Sequence, residues 1–188
     1  MVMDIGDRVP NLETGEGYNV SSTSKGQNPG PMTRSVYNLK RVDKFDMFGS
    51  DEFMRYGQKV RLAANPYLFK KSLCLASFKH SATVCSPSNK GIAAMVPCED
   101  YNGVWVLDSV DPNFRMEMQG EIVKAGDPVL IRHIQTCVYL GADKDIKYKN
   151  DFGSENEVHC HNWCTSNKSQ NLSLEYEGRL SSDVPTKF

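Results

Sequence analysis

The sequence predicts an all-β fold, and three observations carry that expectation. From Tyr56 onward apolar and polar residues alternate with period two, the spacing of a strand with one buried and one wetted face. The apolar runs are short and bounded by Gly, Pro, Asn or Asp, the residues that end strands and build turns. No amphipathic helix of ordinary length interrupts them; the single helical signal is one turn near Ser50, a candidate N-cap within DKFDMFGSDEFM. Many short strands with Gly and Pro turns fit a sandwich or a barrel.

In chain order the expected strands are QKVRLAA (58–64), SLCLASF (72–78), GVWVLDSV (103–110), FRMEMQG (114–120), DPVLIRHI (127–134), CVYLGA (137–142) and NLSLEYEG (171–178). In FRMEMQG, Phe114, Met116 and Met118 alternate with Arg115 and Glu117. In NLSLEYEG, Leu172, Leu174 and Tyr176 alternate with Ser173, Glu175 and Glu177. Both patterns predict half-buried strands. NEVHCHN (156–162), read as a strand, turns Val158 and Cys160 to the core and His159 and His161 outward.

A chain of 188 residues holds one domain with a real core plus an appended segment. Residues 17–31, GYNVSSTSKGQNPGP, offer almost nothing to bury, so residues 1–54 read as an extended, largely irregular arm and 55–188 as the folded domain. Charge is segregated along the arm: residues 1–16 carry four acids and one Arg, whereas 17–42 carry Lys25, Arg34, Lys40 and Arg41 and no acid. That basic half suits an acidic partner, and a solvated linker explains it equally.

The chain has 22 Lys and Arg against 23 Asp and Glu, so no global field draws it to nucleic acid or an anionic membrane. MVMDIGDRVP shows no basic region followed by an apolar run, and nothing nears the roughly twenty apolar residues of a membrane helix. The expectation is a soluble protein with its six cysteines reduced. Asn19, Asn167 and Asn171 head Asn-x-Ser triplets, which matter only on a secreted chain.

Gly57 in YGQKVRL and Gly126 in AGDPVLI occupy matching places in a weak internal repeat. Such a unit needs copies beside it to cover its apolar face. The pattern of an apolar WV, a polar turn, then GDPVLIRH and YL loosely resembles the MIR-type β-trefoil modules of protein mannosyltransferases and inositol trisphosphate receptors. A closer resemblance is to the cilia- and flagella-associated protein 161 family. It runs through GPMTRS (30–35), RYGQKVRL (55–62), VWVLDSVDPNFRMEMQGEIVKAGDPVLIRH (104–133) and FGSENEVHCHN (152–162). It implies a β-trefoil-like, MIR-type fold bound inside ciliary doublet microtubules, with α/β-tubulin and neighbouring inner proteins as partners. Lys25, Arg34, Lys40 and Arg41 are then the candidate tubulin contacts. Of three trefoil units only two are legible, about 55–123 and 124–188. Either the trefoil is incomplete, or strands within residues 1–54 complete it.

HCHNWC (159–164) imitates a metal site. On a strand its ligands split across two faces, and no second Cys or His pair exists to close a tetrahedron, leaving at most weak binding by His159 and His161. No metal or cofactor is expected. An enzyme is not expected either: Gly-x-Ser-x-Gly, His-Glu-x-x-His and a glycine-rich phosphate loop are all missing, and His80 and His133 stand isolated. Cys85 has no close cation to make a thiolate. The rival function for a trefoil is ligand or carbohydrate binding, but neither Trp105 nor Trp163 follows a Gln two residues earlier, and Trp105 reads as core.

Overall fold

The computed structural model describes residues 2–8, 17–23, 33–42, 53–69, 71–79, 86–97, 101–150 and 153–161. These hold β1 (Val2–Arg8), β2 (Tyr18–Thr23), β3 (Tyr37–Arg41), β4 (Lys59–Ala64), β5 (Leu73–Phe78), β6 (Gly91–Pro97), β7 (Trp105–Ser109), β8 (Val129–His133), β9 (Tyr139–Asn150) and β10 (Gly153–His161). Two single 3-10 turns, Thr33–Ser35 and Tyr101–Gly103, complete the regular structure. The described residues contain no α-helix.

Eight strands close a circuit through antiparallel pairings in the order β2, β6, β5, β4, β7, β8, β9, β10 and back to β2. Within the circuit every strand is paired on both sides, which removes the edges an open sheet of these eight strands would present. β1 lies against β2 and β3 against β4, both outside the circuit. Inside, the strands send apolar side chains into one shared core. Val60, Leu75, Met95, Trp105, Leu140 and Cys160 are fully or almost fully buried in a single cluster with Val20, Leu107, Ile131 and Val158. The Trp105 indole nitrogen donates to the Leu75 carbonyl at 2.8 Å, so its one polar atom is satisfied inside the core.

Residues 1–54, read as an arm, supply β1, β2 and β3. β2 enters where β10 and β6 diverge. Near their ends His159 and Cys160 pair directly with Ile92 and Gly91; farther along, Tyr18 and Asn19 pair with Met95 and Ala94 while Ser21–Thr23 pair with Glu157–Glu155. The segment joins through backbone hydrogen bonds and one core side chain, Val20, so its polar composition did not exclude it.

Three further expectations are corrected. FRMEMQG is a series of turns, with Phe114 and Met116 exposed. β6, GIAAMVP, was not foreseen: its inner face joins the core through Ala93 and Met95, and its outer face forms a second buried cluster of Ala76, Ile92, Ala94 and Val96. A strand buried on both faces has no period-two signature. The cysteines are not uniformly reduced: Cys74 on β5 is disulfide-bonded, to a partner outside the described residues, while Cys137 and Cys160 are free. NLSLEYEG, His80, Cys85 and the turn at Ser50 lie outside the described residues.

Candidate functional site

Of the four basic residues expected to meet a partner, Lys25 lies outside the described residues and Arg34 sits in the 3-10 turn before β3. Lys40 and Arg41 are consecutive on β3, so the pleat sends them to opposite faces. Arg41 donates from Nη2 to the Phe53 carbonyl at 2.8 Å and ties β3 to the segment before β4. Lys40 is exposed and stands directly opposite Arg61 of β4, with Lys59 two residues along on the same face. Like charges directly opposite repel, a cost that an anionic partner relieves. The positive face is thus Lys40, Arg61 and Lys59; the last two carried no signal until strand pairing was known.

Sequence reasoning also missed a set of exposed apolar side chains. Leu39 is 47% exposed and Phe53 56%, and Val36 is exposed as well. The loop of residues 110–123 adds two more, with Phe114 52% and Met116 86% exposed. That loop is firmly held. Asp111 Oδ1 accepts the Asn113 amide at 2.9 Å, the Met118 amide donates to the Phe114 carbonyl at 2.8 Å, and Gly120 N donates to Tyr56 O at 2.9 Å. Arg115 is turned inward, donating from Nε to the Ser109 carbonyl at 3.0 Å with its guanidinium 5.6 Å from the centre of the Tyr139 ring. Arg55 Nη1 donates to the Gly120 carbonyl at 2.8 Å, and the Val123 amide to the Met54 carbonyl at 2.8 Å. Large apolar side chains held in water on a braced backbone are the mark of a contact surface, because their ordering cost precedes binding. Asp111-Pro-Asn113 and Gly120, with φ +88°, were the available turn signals.

Two of the histidines, His133 and His159, are held in the interior. His133 is fully buried: Nε2 donates to the Asn102 carbonyl at 2.9 Å, leaving Nδ1 to accept from the Thr136 hydroxyl at 2.7 Å. Burial holds its pKa below the usual 6.5. Val158 and Cys160 face the core, and burial pushes the Cys160 thiol up to about 12, against a smaller opposing effect of its hydrogen bond with Ser77. His159, expected at the surface, is only 2% exposed, because the outer side of β10 is covered along with Glu155 and Glu157. Ser21 Oγ donates to Glu155 Oε2 at 2.5 Å on that side. Among the described residues no three His, Cys, Asp or Glu side chains converge on a point where a metal ion could sit. Asn162, Trp163 and Cys164 are outside the described residues.

Residues 69–173, more than half of the chain, match the family model of the cilia- and flagella-associated protein 161-like domain. The cilia- and flagella-associated protein 161 of Mus musculus is 26% identical over 140 residues, covering 73% of this chain and 46% of the relative. That of Bos taurus is 28% identical over 118 residues, covering 62% and 37%. The matched part therefore spans less than half the length of either relative. Among solved structures, the SDF2-like protein from Arabidopsis thaliana superposes with a TM-score of 0.55 at 19% identity, covering 80% of this chain and 81% of that one. The S. cerevisiae protein O-mannosyltransferase Pmt1–Pmt2 complex bound to the sugar donor gives 0.52 at 20% identity, over 88% of this chain and 24% of that one. At such identities these two likenesses speak to the fold alone. The closed barrel and the family match together place the chain in the cilia- and flagella-associated protein 161-like family, proteins of the cilium and flagellum.

Proposed function

We propose that this chain is a non-enzymatic structural protein of the ciliary or flagellar doublet microtubule, a MIR-type β-trefoil that binds the luminal tubulin wall and stabilises the axoneme. The observation that carries the reading is the exposed face of the braced 110–123 loop, which presents Phe114 and Met116 to solvent. Such a face suits a permanent partner, and in a polymer lattice many weak contacts add into retention. The cationic ribbon Lys40, Lys59 and Arg61 complements an acidic surface such as tubulin carboxylates. Lys25 and Arg34 extend the same basic stretch in sequence. Membership in a cilium-associated family supplies the compartment.

A tagged copy expressed in ciliated cells tests this. It should stay with axonemes through detergent and high salt and leave only when the doublets are taken apart. Release into the detergent-soluble fraction overturns the structural reading and favours a ligand-binding module.

A further inference from the structure

At the end of the barrel where β5 finishes, β6 begins and β10 finishes, a cavity of about 260 Å³ opens to solvent. It owes nothing to the face described above. Its cationic lining is Lys79 and Lys90; His161, Ser77, Asn89 and Thr136 add imidazole, hydroxyl and amide groups. Among the described residues no Asp or Glu lines it. With unequal charge on a concave wall the field is focused inward, which raises the local concentration of anions.

Both walls are preformed. On one side Ser86 Oγ donates to the Lys90 carbonyl at 2.9 Å and accepts the Lys90 amide at 3.1 Å, while the Asn89 amide donates to the Ser86 carbonyl at 3.0 Å. On the other, the β8–β9 hairpin is closed by His133 N to Val138 O at 2.8 Å and Cys137 N to His133 O at 2.9 Å. Asn89, at φ +57°, and Cys137, at φ +54°, are the two non-glycine residues with left-handed backbone among those described, one in each wall. The floor is Gly91 and the buried Cys160, whose thiol is protonated at physiological pH and adds no negative charge. Walls fixed before binding save the ligand the cost of ordering them.

We propose that this barrel mouth binds a compact carboxylate or phosphate, with Lys79 and Lys90 as its charge partners and the His161 imidazole beside them. The volume lies below the roughly 300–1,000 Å³ of pockets for drug-sized ligands, so the occupant is one acidic side chain of a partner protein or a free small anion. Cations with flexible stems and a side-chain amide such as that of Asn89 suit such oxyanions. The inference stands apart from the microtubule reading, and either can fail alone.

The test is titration of the isotope-labelled full chain with four probes: inorganic phosphate, glutarate, a blocked Glu-Glu dipeptide, and glutaramide as the neutral isostere. The expected result is saturable shifts at the Lys79, Asn89, Thr136 and His161 amides with at least one anion, and none with glutaramide. The dipeptide binding tighter than glutarate assigns a protein side chain; glutarate or phosphate binding tighter assigns a free anion. Lys79→Gln, at an exposed position, should weaken binding about fivefold, the loss of a partly screened charge-assisted contact. Lys79→Glu should abolish it, and both variants should melt as the parent does. Overturning results are no saturable shift by roughly 10 mM, weaker than any useful affinity, equal binding of glutaramide, or unchanged affinity in Lys79→Glu.

Discussion

Trp105 and His133 face each other across β7 and β8, directly opposite in register, with ring centroids 5.0 Å apart and tilted by 57°. The indole is satisfied by Leu75 and the imidazole by Asn102 and Thr136, so the pair fills the core as a neutral unit. Protonating His133 would put a charge in that core and break the acceptor role of Nδ1. Its folded pKa is below 6.5, so below that pH the unfolded chain takes up the proton more readily than the folded one. Stability should therefore rise as pH increases toward 6.5, level off above it, and be lost as pH falls. Urea melts from pH 5 to 8 should show that rise, and His133→Gln, which keeps a donor and an acceptor, should flatten it.

Arg132 Nε donates to Asp108 Oδ2 at 2.5 Å, joining β8 to β7 on the outer side of the barrel. Asp108 is buried. Arg132→Met strands that carboxylate and should cost roughly 2–3 kcal/mol, whereas Asp108→Leu with Arg132→Met should recover much of the loss. Denaturant midpoints of the two variants and the double variant measure the coupling.

Tyr37 on β3 buries its hydroxyl without a hydrogen-bond partner among the described residues, and burial raises its pKa well above the usual 10. An unsatisfied hydroxyl is a net cost. Tyr37→Phe should be neutral or stabilise by about 1 kcal/mol, the lower end of that cost. A clear loss of stability in thermal melts would show that the hydroxyl is satisfied.

A Cβ at Gly91 would lie 2.8 Å from the Cys160 carbonyl oxygen and 3.3 Å from that of Phe78. Both obstacles are backbone, and neither can step aside without disturbing β10 or β5. Gly91→Ala should cost roughly 1–3 kcal/mol as an overpacking change, read as a lower denaturation midpoint.

Phe114 and Met116 are exposed on a braced loop, so Phe114→Ser with Met116→Ser should leave stability within about 0.5 kcal/mol for each surface change. Retention on salt-washed axonemes should fall sharply. Undiminished retention would remove these side chains from the partner contact.

What the sequence made legible follows from burial. β4, β7 and β8 alternate or carry dense apolar runs, and each was found close to its observed limits. β5 was found too, since Leu73 and Leu75 are flanked by turn residues. β6 was invisible because both of its faces are covered, and β2 because its contribution is made by backbone around one Val20. FRMEMQG misled for the opposite reason: alternation reports burial only if a sheet is there to receive it, and the loop wraps away with Met116 in water. At the candidate face Lys40 and Arg41 were named from charge segregation. Their cationic neighbours Lys59 and Arg61 became neighbours only through antiparallel register, which no local pattern encodes.

The pairing of β2 with β10 joins residues 21–23 to residues 155–157, almost the full described length of the chain. A ribosome must therefore release β10 before β2, which can already pair with β6, gains its second neighbour in the circuit. Until then, the growing polypeptide carries two unsatisfied borders, along β2 and β6 and at β9, that invite mispairing. Chaperone demand during synthesis, and slow refolding in the test tube, are the natural outcomes of that late closure.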